Sequence, residues 1–270
     1  MKSFANKVVV VTGAGSGMGR AYAKLLAERG AILALNDYNE AELAETVDLL
    51  PPSTRAFTRA YDVSDRGATY AFAAEVSAEL GDAAVVINNA GIEGSGRPVW
   101  ATGDEIFERV MDVNFYGVMH SSRAFLPQLL RNPEGALVNV SSIFGLVGAP
   151  SSADYCASKF AVRGFTEALA AELIGTSVAV HLVHPGGIAT NISRREESQA
   201  FNRKYLSTPP EEIAEVVLDA VIKGRSRVVY GNGAKKTALG ARLLPMKLLA
   251  QVVRRDVDGV LDKKDYPARG

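Results

Sequence analysis

The chain has a single cysteine, Cys156, in 270 residues. One thiol excludes an internal disulfide and suits a reducing compartment, so a cytoplasmic location is expected. Net charge is lacking as well, since 30 Lys and Arg face 30 Asp and Glu, which excludes a general attraction to nucleic acid. The apolar stretch near the N-terminus is too short for a secretory leader and carries no small-residue cleavage site. The apolar segment within Arg242 to Arg255 is too short, and too interrupted by Lys247, to span a bilayer. The three histidines, His120, His181 and His184, show no spacing that compels a metal-ligand set, so no metal is expected and structural roles are the simpler reading. No linker, composition break, internal repeat or low-complexity tract divides the sequence. It is therefore expected to form one domain over residues 1–270, and 47% hydrophobic residues suffice for its core.

What is present begins with Val8-Val-Val-Val11, followed by Thr12-Gly13-Ala14-Gly15-Ser16-Gly17-Met18-Gly19 and the helical pattern Ala21, Leu25, Leu26. Strand, glycine turn, helix is a phosphate-binding context, because glycines let a pyrophosphate approach amides at a helix N-terminus whose dipole favours anions. The next apolar run ends at Asp37, 18 residues beyond Gly19 and near the spacing expected of a ribose-binding acid. A carboxylate there accepts bonds from both ribose hydroxyls and repels a 2′-phosphate, which selects NAD over NADP. Ser16, where a phosphate-reading turn would more usefully carry Arg or Lys, points the same way. Asp37 is alternatively a cap for the following helix. Asp62, at the end of a third strand, suits either the adenine amino group or a structural role, with Ser64 or Asp65 capping the helix behind it. A fourth strand runs into Asn88-Asn89-Ala90-Gly91, whose small residues suit close passage of a cofactor. Asn114 lies in a long helical pattern from Ile106 to Phe125, where an asparagine needs solvent or a buried polar partner.

The apolar run Leu137-Val-Asn-Val ends in Ser141-Ser142, placing Ser142 at the mouth of a sheet. Tyr155 and Lys159, four apart on a helix, share one face. An ammonium beside a phenol lowers its pKa from about 10, so Tyr155 is expected to exchange protons while Ser142 holds the same substrate oxygen. Taken alone, a Tyr-x-x-x-Lys pair is equally a helix-surface contact.

Thr12-Gly13-x-x-x-Gly17-x-Gly19, Asn88-Asn89-Ala90-Gly91, Asn114, Ser142, Tyr155-x-x-x-Lys159 and Pro185-Gly186, in that order, resemble the short-chain dehydrogenases/reductases. The match runs from about Val8 to Thr190, and the Ser142-to-Tyr155 interval also looks like the family's. The resemblance implies an α/β fold, a single doubly wound Rossmann domain with a seven-stranded parallel sheet. It implies NAD(P)-dependent interconversion of an alcohol and a carbonyl in a homodimer or homotetramer. Catalytic roles follow for Asn114 (proton relay), Ser142 (substrate orientation), Tyr155 (acid/base) and Lys159 (partner to phenol and nicotinamide ribose). Cofactor contacts are implied at Gly13, Ser16, Gly17, Met18, Gly19, Asp37, Asp62, Val63, Asn89, Ala90, Gly91, Tyr155, Lys159, Pro185, Gly186, Ile188 and Thr190. An NADP-preferring reductase and a nucleotide sensor without turnover are the alternatives.

Past Thr190, residues 191–210 occupy the place of the family's substrate lid, polar at Arg194, Arg195, Glu196 and Glu197 with aromatics at Phe201 and Tyr205. With Phe144 and Val147 these suit an apolar substrate or ordinary packing alike. Lys223 to Arg255 carries nine basic residues and no acid. Its segment at about 235–255 has apolar residues at helical spacing between cations. Such a helix either docks on its own or a neighbouring subunit, as most do, or rests on an anionic membrane.

Overall fold

A computed structural model describes residues 1–190, 192 and 199–267. Most of the first half of the expected lid, including Arg194, Arg195, Glu196 and Glu197, lies outside them.

The apolar runs become seven strands: β1 (Val8–Thr12), β2 (Ile32–Asp37), β3 (Ala56–Ala60), β4 (Val85–Asn88), β5 (Gly135–Val140), β6 (Val178–Pro185) and β7 (Arg227–Tyr230). All pair in parallel in the order β3-β2-β1-β4-β5-β6-β7. A parallel sheet is covered on both faces, which is why β1, β4 and β5 are buried along their whole length and read as continuous rather than alternating apolar runs. Alternate residues serve opposite layers. Val9, Val11, Leu33 and Ile87 pack under helices α1 (Gly17–Glu28) and α8 (Pro210–Ile222), against Tyr22, Leu26, Ile213 and Leu218. Val8, Val10, Val86 and Leu137 pack under α3 (Arg66–Leu80), α5 (Gly117–Arg131) and α6 (Ala153–Glu172), against Phe72, Phe125 and Leu169. Each fully buried side chain of this size stabilises by roughly 1.5–3 kcal/mol.

Local signals account for the helix starts. Asn39 caps α2 (Glu40–Asp48) by accepting from Glu42 N–H, and Asp65 caps α3 by accepting from Ala68 N–H. The pattern from Ile106 to Phe125 is not one regular helix. It is α4 (Asp104–Met111), a π turn at Asp112–Tyr116 and then α5, so the extra residue of the wide turn re-aims Asn114. The basic C-terminal segment is likewise two helices, α9 (Ala234–Leu243) and α10 (Met246–Val257). Pro245 cannot continue α9 and stands as N-cap of α10.

The order of strands reverses between β1 and β4, which leaves a crevice at their C-terminal ends. Its floor is held by buried polar side chains. Asn88 Nδ2 donates to Asn139 Oδ1 (2.8 Å) and Ser122 Oγ (3.0 Å), while Asn139 Nδ2 donates to Thr166 Oγ1 (3.0 Å). The network ties β4, β5, α5 and α6 together directly below the crevice. Among the described residues no helix is long and apolar enough to cross a membrane.

Candidate active site

The glycine turn joins β1 to α1 against the end of β4. Thr12 Oγ1 accepts from the amides of Asn89 (3.1 Å) and Ala90 (3.2 Å), and Asn89 Nδ2 donates back to Thr12 O and Gly13 O. A β-carbon on Gly13 would lie 2.8 Å from Ala90 Cα, and one on Gly19 would lie 1.8 Å from Gly13 O. Only glycine permits that approach of helix to strand. Gly17 has φ +50°, with Thr190 Cγ2 3.0 Å from the site of its missing β-carbon. The strand-end loop of β6 thus closes over the turn. Ser16 is the extended N-cap of α1, no side chain caps the first turn and no acid sits in it. Those amides are available to an anion, a fit for a pyrophosphate. The Met18 side chain packs against the core, with its backbone in the first turn of α1.

The turn is braced from behind by two residues that motif reading overlooked. Thr46 Oγ1 donates to Ala14 O (2.9 Å), and Arg20, whose Nε donates to Thr46 Oγ1 (2.9 Å), also donates to Gly15 O. A cation in the first turn of a helix opposes the macrodipole, and that anomaly was the signal for Arg20. Asp37 is buried against the turn. Its Oδ2 accepts from Gly15 N–H (2.8 Å) and its Oδ1 from Asn39 N–H (2.9 Å). The capping alternative for Asp37 fails, because Asn39 is the cap. Asp62 accepts from Ser64 and pairs with Arg109. Burial works to raise its pKa, but bonds from the Ser64 amide, Arg109 and the Ser64 hydroxyl hold it below the usual carboxylate range. Val63 packs on Gly117 at the start of α5, 2.7 Å from where a β-carbon would be. Pro185 ends β6, Gly186 is closed in by Asn232 O and Ile188 is buried, bridged to Thr208.

Asn114, Ser142, Tyr155 and Lys159 converge at the mouth of β4 and β5. Fully buried Asn114 accepts from Ile92 N–H (2.8 Å) and donates to Ile92 O (3.0 Å) and Ser158 Oγ (3.1 Å). Both of its amide hydrogens are thus engaged by the protein, and its Oδ1 accepts one bond. Lys159 is buried and donates to Val140 O (3.2 Å), with its Nζ 5.6 Å from the centroid of the Tyr155 ring. A β-carbon on Gly91 would stand 3.2 Å from Asn114 Oδ1 and 3.3 Å from Lys159 Nζ, so the glycine keeps that space open. The Ser142 hydroxyl accepts from Phe144 N–H (3.1 Å) and favours the charged form of the neighbouring Tyr155 phenol.

One expectation is corrected. Lys159 was to lower the Tyr155 pKa; instead burial pushes the phenol up to about 12, and the Ser142 hydroxyl offsets only part of that. Burial also brings the Lys159 ammonium down to about 8. Burial costs both charged forms solvation, and Lys159 is not among the groups that offset that cost for the half-buried phenol. Cys156 is buried next to the site, its thiol pushed up to about 11 by burial, as suits a packing residue.

His184 also reaches the site, through Ser142. Arg227 donates to its Nε2 (3.3 Å), and an arginine has no acceptor, so Nδ1 carries the proton and donates to Ser142 O (2.8 Å). The described part of the lid supplies α7 (Gln199–Tyr205). Phe201 meets both Tyr205 (4.7 Å between centroids) and Phe144 (6.3 Å), and Phe144 stands edge-on to Tyr155 (6.3 Å). An aromatic wall therefore leads to the phenol. Among the described residues no His, Cys, Asp or Glu group could hold a metal ion.

Fold and site together define a doubly wound α/β nucleotide-binding protein with a hydroxyl, a phenol and an ammonium at its switch-point crevice. The sequence profile of the family described as short chain dehydrogenase matches residues 7–200. A putative oxidoreductase, SadH, of Mycobacterium tuberculosis is 42% identical over 257 residues, covering 90% of this chain and 93% of that protein. The meso-2,3-butanediol dehydrogenase of Serratia marcescens is 37% identical, over 79% of this chain and 86% of its own. The crystal structure of a short chain dehydrogenase/reductase from Burkholderia phymatum in complex with NAD superposes with a TM-score of 0.82 at 27% identity, covering 100% of both chains. This chain belongs to the short-chain dehydrogenase/reductase family and is an oxidoreductase with the fold of nicotinamide-nucleotide enzymes.

Proposed function

We propose that this protein is an NAD(H)-dependent oxidoreductase that interconverts an alcohol and a carbonyl, with Tyr155 as its acid and base. The observation that carries the reading is the buried Lys159 ammonium and the Ser142 hydroxyl converging on one phenol beside the space left by Gly91. The uncapped first turn of α1 and the close approaches at Gly13 and Gly19 suit a pyrophosphate, and Asp37 suits unphosphorylated ribose hydroxyls. When bound, the nicotinamide supplies or accepts the hydride. The protein's own part is to orient and to move one proton. Ser142 holds the substrate oxygen, and Tyr155 gives that oxygen a proton as it gains negative charge. At about 12 the phenol is protonated at neutral pH, which is the donor form. Running in the other direction needs the phenolate, which positive charge beyond the resident Lys159, such as that of the oxidised nicotinamide when bound, would favour. Asp62, Val63, Asn89, Ala90, Pro185, Gly186, Ile188 and Thr190 complete the cofactor wall in this reading. The aromatic wall favours an apolar substrate. The single buried thiol supports a cytoplasmic enzyme, and the family relationship supports a homodimer or homotetramer.

The test is a panel of secondary alcohols, diols and ketones with NAD(H) and NADP(H), read by cofactor absorbance, on wild type and Tyr155→Phe. The variant is expected to keep dinucleotide binding, weakened at most by the loss of one contact, and to lose roughly 100- to 10,000-fold in turnover. Undiminished turnover would refute the mechanism. Tight dinucleotide binding with no turnover on any substrate would favour a nucleotide sensor instead.

A further inference from the structure

The C-terminal pair of helices presents a face that the rest of the described chain does not cover. On α9, Leu239 and Leu243 are 59% and 66% exposed, and at the corner Met246 reaches 85%. On α10, Leu248 and Val252 are 45% and 41% exposed, whereas Leu249 and Val253 turn inward, with Leu249 against Gly240 of α9. The helices are thus packed on one side and apolar on the other. Cations frame the uncovered side: Lys235, Lys236, Arg242, Lys247 and Arg255 are all exposed. None of the five has an ion-pair partner among the described residues, and no Asp or Glu occurs between Lys223 and Arg255.

We infer that this face docks on an anionic lipid surface, lying in the interface rather than crossing it. Large apolar side chains standing singly among cations, on two short helices, suit insertion to the depth of the headgroups with phosphates meeting the rim. A second copy of the chain is a poorer occupant. In a two-fold contact the patch would face itself, setting five unpaired cations against the same five. The end of α10 is also tied to the lid, because Tyr205 Oη and Lys204 Nζ of α7 donate to Asp256 O at 2.7 and 3.1 Å. The docked face and the aromatic wall above Tyr155 therefore share one scaffold.

The test is co-sedimentation of the full chain with phosphatidylcholine vesicles, with and without phosphatidylserine, at low and high salt. Two variants, Lys235→Glu/Lys247→Glu and Leu243→Ser/Met246→Ser, change only exposed side chains, so both are expected to melt as wild type does. Wild type should bind the serine-lipid vesicles at low salt and be released by high salt. Charge reversal should lower partitioning by at least roughly 25-fold, at about fivefold per cation lost, and the serine variant should bind more weakly than wild type. No binding at low salt, equal binding to phosphatidylcholine alone, or binding indifferent to charge reversal would each overturn the inference. A change in the mass of the lipid-free protein in either variant would also overturn it, by assigning the face to contact between copies.

Discussion

His184 makes the stability of this protein sensitive to mild acid. It is fully buried on β6, with Nδ1–H on Ser142 O and Nε2 facing a guanidinium that can only donate. A second proton has to go onto Nε2, which would abolish the Arg227 bond and set two cations together. Burial first, against the opposing Ser142 bond, then Arg227 and Arg163 against Glu167, bring the pKa from 6.5 to about 4. A folded-state pKa below the unfolded one means that the unfolded chain binds the proton first as pH falls. The stability is therefore whole above pH 6.5 and lost between 6.5 and 4, by about 3 kcal/mol in total and roughly 1 kcal/mol by pH 5.5. His181, also buried, and the more open His120 are lowered too and add to the wild-type slope. The contribution of His184 is thus read by difference. Urea unfolding of wild type and His184→Asn at about pH 7.5 and about pH 5.5 should show wild type losing roughly 1 kcal/mol more than the variant. Equal losses would refute the buried neutral tautomer and the geometry that assigns it.

Gly19→Ala puts a β-carbon 1.8 Å from Gly13 O, so dinucleotide affinity by fluorescence titration should fall at least roughly 100-fold; Gly164→Ala, exposed in mid-α6 with open space around it, should instead raise stability by about 0.5–1 kcal/mol. Asp37→Ala should narrow the preference for NAD over NADP by roughly tenfold or more in Kd. It should also weaken NAD itself, because Gly15 N–H loses its acceptor. Gln128 accepts from Ala83 N–H and donates to Ala73 O, a carbonyl inside α3, while buried; Gln128→Leu therefore leaves Ala83 N–H without its acceptor and should cost about 1–3 kcal/mol in chemical denaturation, with turnover per folded molecule unchanged.

What could be read from the sequence was whatever repeats locally. A strand buried on both faces is apolar at nearly every position, so Val8–Val11 and Leu137–Val140, with only Asn139 polar, announce themselves, and the glycine turn does so because backbone contact at Gly13 and Gly19 tolerates nothing larger. The π turn at Asp112–Tyr116 was hidden, since its extra residue leaves the apolar spacing on either side readable as one helix. The split at Pro245 was hidden for a similar reason, because proline is as acceptable at a helix start as at a helix break. Thr46 and His184 act across 32 and 42 residues of chain, on Ala14 and Ser142, Arg20 reaches Thr46 across 26, and no spacing records contacts of that reach. The sign of the Tyr155 shift was the least accessible of all. A four-residue interval puts Lys159 near the phenol, but the pKa follows from how much water both groups lose, which depends on β5, α5 and the lid together. The chemistry expected of the pair therefore rests on burial, a property of the whole fold, and its direction is set by what next brings charge into the pocket.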